Sequence, residues 1–223
     1  APAGNYTVTF YNDNVAASVE DVVLRVETYV SSLSTTSISP YGGTTLTITG
    51  ANFVGAIRDY KVIFKEGNVT EADFARQDNC SITAKTATTL TCTARISPVG
   101  LSRPDAQYNV YVVQQSKSVA GSYCTGGPCA VSYPANKTPR ASLTSGIRAT
   151  PGTTYSLTGS NFVDSANPST APQVWIGSTS VTVAAFDATT INFTWPTLQS
   201  GSYPSYVVGP YNSGRSNSWT TVY

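Results

Sequence analysis

A stretch of twelve residues occurs twice in this chain of 223 residues. It is Gly-Thr-Thr-Leu-Thr-Ile-Thr-Gly-Ala-Asn-Phe-Val at 43–54 and Gly-Thr-Thr-Tyr-Ser-Leu-Thr-Gly-Ser-Asn-Phe-Val at 152–163. Self-similarity at one long offset indicates a chain built from repeated modules. In the first copy Leu46 and Ile48 alternate with threonines, which predicts a half-buried strand. The Gly-x-Asn-Phe that follows predicts the end of that strand, because Gly tolerates positive φ and Asn can turn the chain onto its own backbone.

The composition favours an all-β protein with few charges. Ser, Thr, β-branched and aromatic residues are abundant, and the net charge is only +1. The Ser and Thr excess suits solvent-facing strand positions, with or without O-linked sugar. No basic stripe and no apolar run of membrane-spanning length occurs, so we expect neither a nucleic-acid partner nor membrane insertion. The chain begins with Ala1 and contains no Met, as expected of a processed or excerpted polypeptide.

Short strands separated by turn residues follow along most of the chain, which predicts β-sandwiches. In the first module we expect strands at Leu46–Thr49, Lys61–Phe64, Cys80–Thr83, Leu90–Thr93, Gln107–Val113 and Cys129–Tyr133. In the second we expect strands at Tyr155–Thr158, Gln173–Ile176, Thr190–Trp195, Tyr203–Val208 and Ser218–Val222. The segment 134–139 begins and ends with proline and predicts a linker. The expected domains are therefore 37–136 and 140–223.

Residues 1–36 fall outside both modules and predict an N-terminal β-hairpin, followed by a linker at 31–36. The first strand is indicated by the alternation of Tyr6, Val8 and Phe10 with polar residues. The second strand is expected at Val22–Val30. A helix is the alternative for this second segment, because its valines also fit one helical face. The density of valine favours the strand, since β-branched side chains lose rotamer freedom in helices.

The N-terminal hairpin resembles segments that come late in each module. Pro2-x-x-x-Tyr6-x-Val8 aligns with Pro104-x-x-x-Tyr108-x-Val110, and the region from Gly201-x-Tyr203 to Val208 is a looser third copy. In both modules this segment comes just before the last strand. Residues 1–30 are therefore expected to form the closing hairpin of a module whose beginning is absent from the sequence.

The four cysteines predict disulfide bonds and an oxidising compartment. Cys80 and Cys92 would join two neighbouring strands, and Cys124 and Cys129 would close a tight loop. Each bond would stabilise the fold by about 2–4 kcal/mol. A zinc site built from all four cysteines is the alternative, but the first pair is too widely spaced for a zinc knuckle.

The first module resembles a known family at its opening. Ser37-Ile-Ser-Pro-x-Gly-Gly-Thr-x-Leu-x-Ile-x-Gly-x-Asn-Phe53 is similar to the opening signature of IPT/TIG domains, as are the later Cys80…Leu90-Thr-Cys92 and Tyr108-x-Val110. The resemblance covers 37–133 and, more weakly, 141–223. These are immunoglobulin-like folds of plexins, some transcription factors and many secreted or surface proteins. The resemblance implies two tandem immunoglobulin-like β-sandwiches after the hairpin, and it implies spacers or binding modules in place of a fixed chemistry.

Three tyrosines lie near the start of a penultimate strand, namely Tyr6, Tyr108 and Tyr203. Immunoglobulin-like domains place a corner tyrosine there, with its hydroxyl bonded back to the main chain. We expect this structural role and no catalytic one.

Catalytic chemistry has few candidates in this sequence. Histidine is absent, which excludes Ser-His-Asp triads, Cys-His pairs and histidine metal sites. Paired carboxylates are the remaining option, and Asp59, Glu66, Glu71 and Asp73 lie close together in a charged, loop-like stretch. A solvated loop explains them better. The sequence therefore predicts no enzymatic activity, no cofactor and no metal site.

Five Asn-x-Ser/Thr sequons suggest N-linked glycans: Asn5, Asn68, Asn79, Asn136 and Asn192. Asn192 lies between Ile191 and Phe193, so in a strand its side chain would face away from the core. The same alternation predicts that Asn5 faces away from Tyr6. Asn79 precedes the inward Cys80, and the other two fall in predicted loops. Together they suit a glycosylated surface protein, although N-linked sugar would not be expected on a bacterial one.

A lone hairpin carrying Tyr6, Val8, Phe10, Leu24 and Val26 would leave apolar area exposed. It could be covered by an earlier module of the same polypeptide or by another copy of the chain. Strand addition between copies would be head to tail and would give a filament. Module two already appears complete in its closing strands, so a neighbour's hairpin would pack against it without supplying missing strands.

Three functions remain open at this point. The first is a structural subunit of an extracellular or cell-surface glycosylated filament, whose partners are other copies of itself and covalent glycans. The second is a spacer or ligand-binding segment of a receptor or adhesin ectodomain, which upstream sequence supplying a whole module would favour. The third is an accessory domain of a secreted carbohydrate-active enzyme, which would need a catalytic domain elsewhere.

Overall fold

The computed structural model describes most of the chain. It describes residues 4–8, 11–12, 15–16, 22–26, 28–67, 78–97, 100, 102–114, 129–143, 146–164, 168–210 and 214–223. For the residues before 28, only the main chain is described. The fold is nearly all β. The N-terminal segment contains β1 (Gly4–Val8), β2 (Tyr11–Asn12), β3 (Val15–Ala16) and β4 (Val22–Val26).

Two immunoglobulin-like modules follow, and we name them by their strands. Module one contains β5 (Tyr29–Leu33), β6 (Thr45–Ala51), a 3-10 turn (Ile57–Asp59), β7 (Tyr60–Lys65), β8 (Cys80–Lys85), β9 (Thr89–Ala94), β10 (Gln107–Gln114) and β11 (Ala130–Ser132). Module two contains β12 (Arg140–Ala141), β13 (Ile147–Arg148), β14 (Thr154–Ser160), β15 (Gln173–Ile176), β16 (Thr179–Val181), β17 (Val183–Phe186), β18 (Thr190–Thr194), β19 (Ser202–Val208) and β20 (Trp219–Val222). Every strand predicted inside the two modules is present.

The two modules repeat one sheet topology. The first sheet has the order β5-β6-β9-β8 in module one and β12-β14-β18-β17 in module two. The second sheet has the order β11-β10-β7 in module one and β13-β20-β19-β15-β16 in module two. A parallel bridge joins Ser37 to Ser132, and β13 pairs in parallel with β20 at the corresponding place. The sequence repeat is therefore a repeat of whole sandwiches, as the immunoglobulin-like fold requires.

One predicted linker is part of a sheet. Residues 31–36 were expected to connect the hairpin to module one, but β5 extends through Leu33 and pairs antiparallel with β6. The predicted strand Val22–Val30 is accordingly two strands, β4 and β5, with a break after Val26. The helical alternative for this segment is wrong. Strand pairing with the repeated stretch, which lies later in the sequence, decides where module one begins.

By packing, the described parts of the chain form two compact units. The first unit includes parts of Ala1–Thr36, Leu46–Cys92 and Tyr108–Ala130. The second unit includes Ser37–Thr45, Thr93–Gln107 and Val131–Tyr223. The segments 37–45 and 93–107 thus belong to the same compact unit as the C-terminal part of the chain, and the domains 37–136 and 140–223 stay a prediction.

The core of each module follows the predicted alternation. In β6 the buried residues Leu46, Ile48 and Gly50 alternate with half-buried threonines. In module two the core forms a single cluster that includes Leu157, Phe162, Val174, Ile176, Ile191, Phe193, Trp195, Val207 and Trp219. Alternation with period two therefore places one face of each of these strands in the sandwich interior.

The glycine of the repeated Gly-x-Asn-Phe allows the first strand of each module to lie close to the next. A Cβ atom on Gly50 would lie 2.0 Å from the main-chain oxygen of Tyr29. A Cβ atom on Gly159 would lie 2.2 Å from the main-chain oxygen of Arg140. Because no side chain fits at these distances, only glycine allows the strand pairing there.

The asparagine and phenylalanine of the same motif end the strand as predicted. Asn52 and Asn161 both have left-handed backbone, with φ of 63° and 58°. Asparagine tolerates this conformation better than most residues with a side chain. The turn returns Phe53 and Phe162 to the interior, where both side chains are fully buried.

Candidate functional site

The N-terminal hairpin forms sheets of its own in the part of the chain that the structure describes. β1 pairs antiparallel with β4 from Gly4 opposite Val26 to Val8 opposite Val22. Near the tip, β2 pairs with β3 through Asn12 opposite Val15. Neither two-stranded sheet is joined by another described strand. Two-stranded hairpins are marginal in water without further packing.

The register of the hairpin pairs apolar residues with apolar residues. Tyr6 lies opposite Leu24, and Val8 lies opposite Val22. Of the residues predicted to mediate self-assembly, Tyr6, Val8, Leu24 and Val26 lie in these two strands, and Phe10 lies outside the described residues. The two strands pair antiparallel, as an N-terminal hairpin requires.

Two turns distant in sequence contact each other inside the second unit. The Ser39 Oγ donates a hydrogen bond to the main-chain oxygen of Arg215 at 2.6 Å, and the Arg215 N–H donates to the Gly42 oxygen at 2.8 Å. A Cβ atom on Gly214 would lie 2.5 Å from the Thr44 Oγ1 and 2.6 Å from the Ser39 Cβ. Ser39–Thr44, here called the covered turn, is thus tightly packed beneath the loop that joins β19 to β20.

Module two repeats the covered turn as Thr150–Thr153, here called the open turn. Each turn is fixed to the end of a neighbouring strand: Gly43 N–H donates to the Ala94 oxygen at 2.9 Å, and Gly152 N–H donates to the Trp195 oxygen at 3.0 Å. All four residues of the open turn are exposed. No described atom lies within 4 Å of a Cβ built on Gly152. The same connection to a neighbouring strand is therefore covered in module one, whereas no described residue covers it in module two.

Aromatic side chains cluster beside the open turn. We call Tyr155, Trp195, Tyr203 and Tyr223 the aromatic pole. The ring centre of Trp195 lies 5.1 Å from that of Tyr155 and 6.4 Å from that of Tyr223. The ring centres of Tyr203 and Tyr223 lie 5.8 Å apart. Trp195 is buried, whereas the three tyrosines are half-buried. Part of the aromatic surface therefore faces solvent.

The hydroxyl groups of the aromatic pole have different surroundings. The Tyr203 hydroxyl donates to the Gln199 oxygen at 3.0 Å, which confirms the predicted corner tyrosine. Burial raises the pKa of the Tyr155 hydroxyl. Burial also raises the pKa of the Tyr223 hydroxyl, and the neighbouring Tyr203 adds to the rise. The Tyr223 oxygen is buried and has no hydrogen-bond partner within the described residues.

In module one the corresponding residues are buried. Leu46, Ala94, Tyr108 and Tyr133 occupy the positions of Tyr155, Trp195, Tyr203 and Tyr223, and none of the four is more than 5% exposed. Gly100 packs directly on Tyr133, since a Cβ at this position would lie 2.6 Å from the tyrosine ring. Gly100 belongs to the segment between β9 and β10, which is longer than its counterpart between β18 and β19.

The predicted sequons have different environments. Asn136 is exposed in a turn, and Asn192 is half-buried between two fully buried neighbours, as the alternation predicted. Asn79 differs from the prediction of a free solvent-facing side chain, because it is half-buried and its Oδ1 accepts a 2.8 Å hydrogen bond from Phe64 N–H. The side chain of Asn5 and the whole of Asn68 lie outside the described residues.

The predicted bond between Cys80 and Cys92 is present and joins the neighbouring strands β8 and β9. Both residues are fully buried. Cys129 is also disulfide-bonded, and Cys124, its predicted partner, lies outside the described residues. Among the described residues, no three His, Cys, Asp or Glu side chains are grouped so that they could hold a metal ion. The first cysteine pair is therefore structural.

Of the four predicted carboxylates, the structure describes Asp59 and Glu66. Asp59 Oδ2 accepts a 2.8 Å hydrogen bond from Ala56 N–H and so closes the 3-10 turn before β7. Glu66 is exposed after the end of β7. Glu71 and Asp73 lie outside the described residues. The described part of this stretch thus uses its carboxylate for local structure.

Two polar contacts that sequence analysis missed fix the start of module two. Asn161 Nδ2 donates to the main-chain oxygens of Ala135 at 2.8 Å and Thr138 at 2.9 Å. Asn217 accepts from the Ala141 N–H at 2.8 Å and donates to the Ala141 oxygen at 2.9 Å. The repeat of Gly-x-Asn-Phe identifies Asn161 as special, but nothing local shows what its amide would bind.

The sequence analysis also did not predict a row of contacts among Trp175, Tyr206 and Arg215 on the second sheet of module two. Trp175 lies opposite Tyr206 on neighbouring strands, with ring centres 6.5 Å apart and planes at 10°. The Arg215 guanidinium lies 4.4 Å from the centre of the Tyr206 ring, a cation–π contact. Trp175 and Tyr206 alternate with the buried Val174 and Val207, so their outward direction could have been found from the period of the strands.

The comparisons with known proteins concern the fold. A family model described as IPT/TIG domain matches residues 29–133 and 141–223. A search among curated proteins finds no match. Within the described residues, no helix is both long and apolar enough to cross a membrane.

Several solved structures are similar at low identity. The plexin A4 full extracellular region is 15% identical, with 89% of this chain and 18% of that chain covered and a TM-score of 0.43. The tandem Ig repeats of Dlar are 10% identical, with 84% and 92% covered and a TM-score of 0.32. The protein SGBP-B of Bacteroides ovatus, solved with a mixed-linkage heptasaccharide, is 14% identical, with 83% and 42% covered and a TM-score of 0.29. This chain thus spans less than a fifth of the plexin structure.

Proposed function

Because the chain belongs to the IPT/TIG domain family, we propose that it is a structural subunit of an extracellular, glycosylated filament. Each copy joins the next head to tail through its N-terminal hairpin. The chain has no enzymatic role in this proposal, and its partners are other copies of itself and its own glycans.

The isolated hairpin carries the proposal. β1 and β4 pair only with each other among the described strands, and their register puts Tyr6 opposite Leu24 and Val8 opposite Val22. Unpaired strand edges are templates for pairing with another chain. A surface patch that binds a different patch on an identical molecule gives an open filament whenever the rotation between copies does not close a ring. A hairpin joined to two tandem modules therefore suits filament growth.

The extracellular, glycosylated setting is supported by the cysteines and sequons. The buried bond between Cys80 and Cys92 and the bonded Cys129 suit an oxidising compartment. Asn136 is an exposed sequon in a turn, which leaves room for a glycan.

Electron microscopy and intact mass of the protein isolated from its source test the proposal. We expect regular filaments whose subunit mass exceeds that of the polypeptide by attached sugar. In the full chain, the double substitution Tyr6→Lys and Leu24→Lys places like charges opposite each other and should disrupt hairpin pairing. This variant should remain monomeric while both modules unfold at the wild-type temperature.

The matched control is Arg25→Gln, a polar exchange in the same strand as Leu24, which should assemble as the wild type does. Deletion of residues 1–26 is a second variant, and it stops there because β5 begins at Tyr29 and belongs to module one. Filaments that persist in both the double variant and the deletion would show that the hairpin is not the joint.

A spacer segment of a receptor or adhesin ectodomain is the second candidate. The observation that favours it is the short connection from β4 to β5, which suits a hairpin that closes a preceding module in a continuous array. Isolation of single particles with a much larger polypeptide mass, in place of filaments, would support this candidate over the first.

A further inference from the structure

We infer that the open turn Thr150–Thr153 and the adjacent aromatic pole form the acceptor surface for the N-terminal hairpin of a second copy of this chain. This inference rests on the proposed head-to-tail assembly and names the surface that the hairpin binds. The acceptor surface lies wholly within described residues of module two.

The chain already contains one example of this joint. In module one the covered turn binds the loop between β19 and β20: Ser39 donates to the Arg215 oxygen, Arg215 donates to the Gly42 oxygen, and Gly214 fits where a Cβ could not. The open turn has the same hydrogen-bonded connection to a neighbouring strand through Gly152, with nothing described above it. The open turn is therefore suited to bind the tip of a strand pair, as the covered turn binds the loop between β19 and β20.

The N-terminal hairpin is an element of that kind. Its first strand aligns by sequence with the penultimate strand of each module, with Tyr6 at the position of Tyr108 and Tyr203. β1 and β4 therefore correspond to β19 and β20, which also pair antiparallel. The short strands β2 and β3 lie at the end of the hairpin that corresponds to the loop bearing Gly214 and Arg215. The hairpin of one copy thus offers module two an antiparallel strand pair like β19 and β20, and its loop has no glycine in place of Gly214.

The aromatic pole supplies an independent reason for a partner at this place. Tyr155, Tyr203 and Tyr223 are half-buried, whereas their counterparts Leu46, Tyr108 and Tyr133 are at most 5% exposed. Clustered, partly exposed aromatic rings are typical of binding surfaces.

The test uses two substitutions in the full chain. They introduce the same side chain on the same strand, at different distances from the aromatic pole. Thr154 and Thr158 are both exposed on β14, four residues apart on one face, and lie opposite Thr194 and Thr190. Thr154→Arg adds bulk and charge beside the open turn, and we expect it to raise the concentration needed for assembly by about tenfold or more. Thr158→Arg places the same side chain about 13 Å along the strand and should assemble as the wild type does.

A mixing experiment shows whether the hairpin and the pole bind each other. The Tyr6→Lys and Leu24→Lys variant keeps an intact pole, and Thr154→Arg keeps an intact hairpin. Each should be monomeric alone, and their equimolar mixture should form dimers and nothing longer, measured by light scattering with mass photometry. Unfolding temperatures equal to that of the wild type confirm that both variants are folded.

The two ideas fail in different ways. Assembly of both the hairpin variant and the deletion of residues 1–26 overturns the proposed function. If the hairpin variant is monomeric but Thr154→Arg assembles like Thr158→Arg, the hairpin is the joint and the acceptor surface lies elsewhere, so only this inference is overturned. A mixture that gives no dimers overturns it as well.

Discussion

The Ser39 hydroxyl donates a 2.6 Å hydrogen bond to the main-chain oxygen of Arg215, 176 residues away in the sequence. The same Ser39 oxygen accepts from the Tyr41 N–H at 3.1 Å, so one side chain both shapes its own turn and binds a distant one. Because Gly214 lies against Ser39 and Thr44, the contact also requires that residue 214 has no side chain.

Gly214→Ala should destabilise the protein more than Gly152→Ala. Both glycines have left-handed backbone, with φ of 82° and 79°, so alanine costs about 1–2 kcal/mol at either position. Only at residue 214 does the new Cβ meet other atoms, 2.5 Å from Thr44 Oγ1, which adds about 1–3 kcal/mol of overpacking. Chemical denaturation measures both variants. Equal losses of unfolding free energy in the two variants would mean that the loop bearing Gly214 moves away from the covered turn at little cost.

Gly50→Ala and Gly159→Ala should each lower the free energy of unfolding by about 3 kcal/mol. The added Cβ would lie 2.0 Å and 2.2 Å from main-chain oxygens of the paired strand, so the first strand of the module has to move away. Gly201→Ala is the control, because its Cβ would make only ordinary contacts at 3.5 Å with Tyr203. Thermal unfolding compares the three. Near-wild-type stability in Gly50→Ala would show that β5 contributes little to module one.

Removal of the bond between Cys80 and Cys92 should destabilise module one by about 2–4 kcal/mol. The double substitution Cys80→Ala and Cys92→Ala isolates this bond from that of Cys129, which simple reduction would not. Hydrogen exchange resolves the two modules, and we expect faster exchange in β8 and β9 with β14 and β18 unchanged. Equal loss of protection in both modules would contradict a local role for the bond.

Asp187 should make stability depend on pH in the acid range. Its exposed carboxylate accepts hydrogen bonds from Thr189 N–H, Thr189 Oγ1 and Thr190 N–H, and these hold its pKa below the ordinary value of 3.8. A lowered pKa in the folded state gives stability that is present above pH 3.8 and lost as the pH falls through the folded pKa.

The variant Asp187→Thr tests this directly, because module one has Thr86 at the same place, with its Oγ1 accepting from the Thr88 and Thr89 N–H groups. In thermal unfolding from neutral to acid pH, the wild type should keep its advantage over the variant above pH 3.8 and lose it as the pH falls further. An advantage that is constant over this range would show that the charge is not what stabilises the turn.

Much of this fold could be predicted from the sequence because its signals are local. Leu46 and Ile48 alternate with threonine, which is enough to predict a strand with one buried face, and the Gly-x-Asn-Phe motif predicts where it ends. The pairing of Cys80 with Cys92 followed from two strands that are neighbours in sequence. The Tyr203 hydroxyl bonds only four residues back, to Gln199, so its role was also within reach of local pattern.

The tertiary structure decided what depends on residues far apart in the chain. It assigned β5 to module one, since that strand is defined by pairing with β6 and its own sequence also suits a linker. It decided that Ser39 meets Arg215, that the Asn161 amide binds Ala135 and Thr138, and that Tyr223 stays partly exposed while Tyr133 is buried. Backbone periodicity follows from the residues in one segment, whereas burial at the end of a sandwich depends on which other segment packs there.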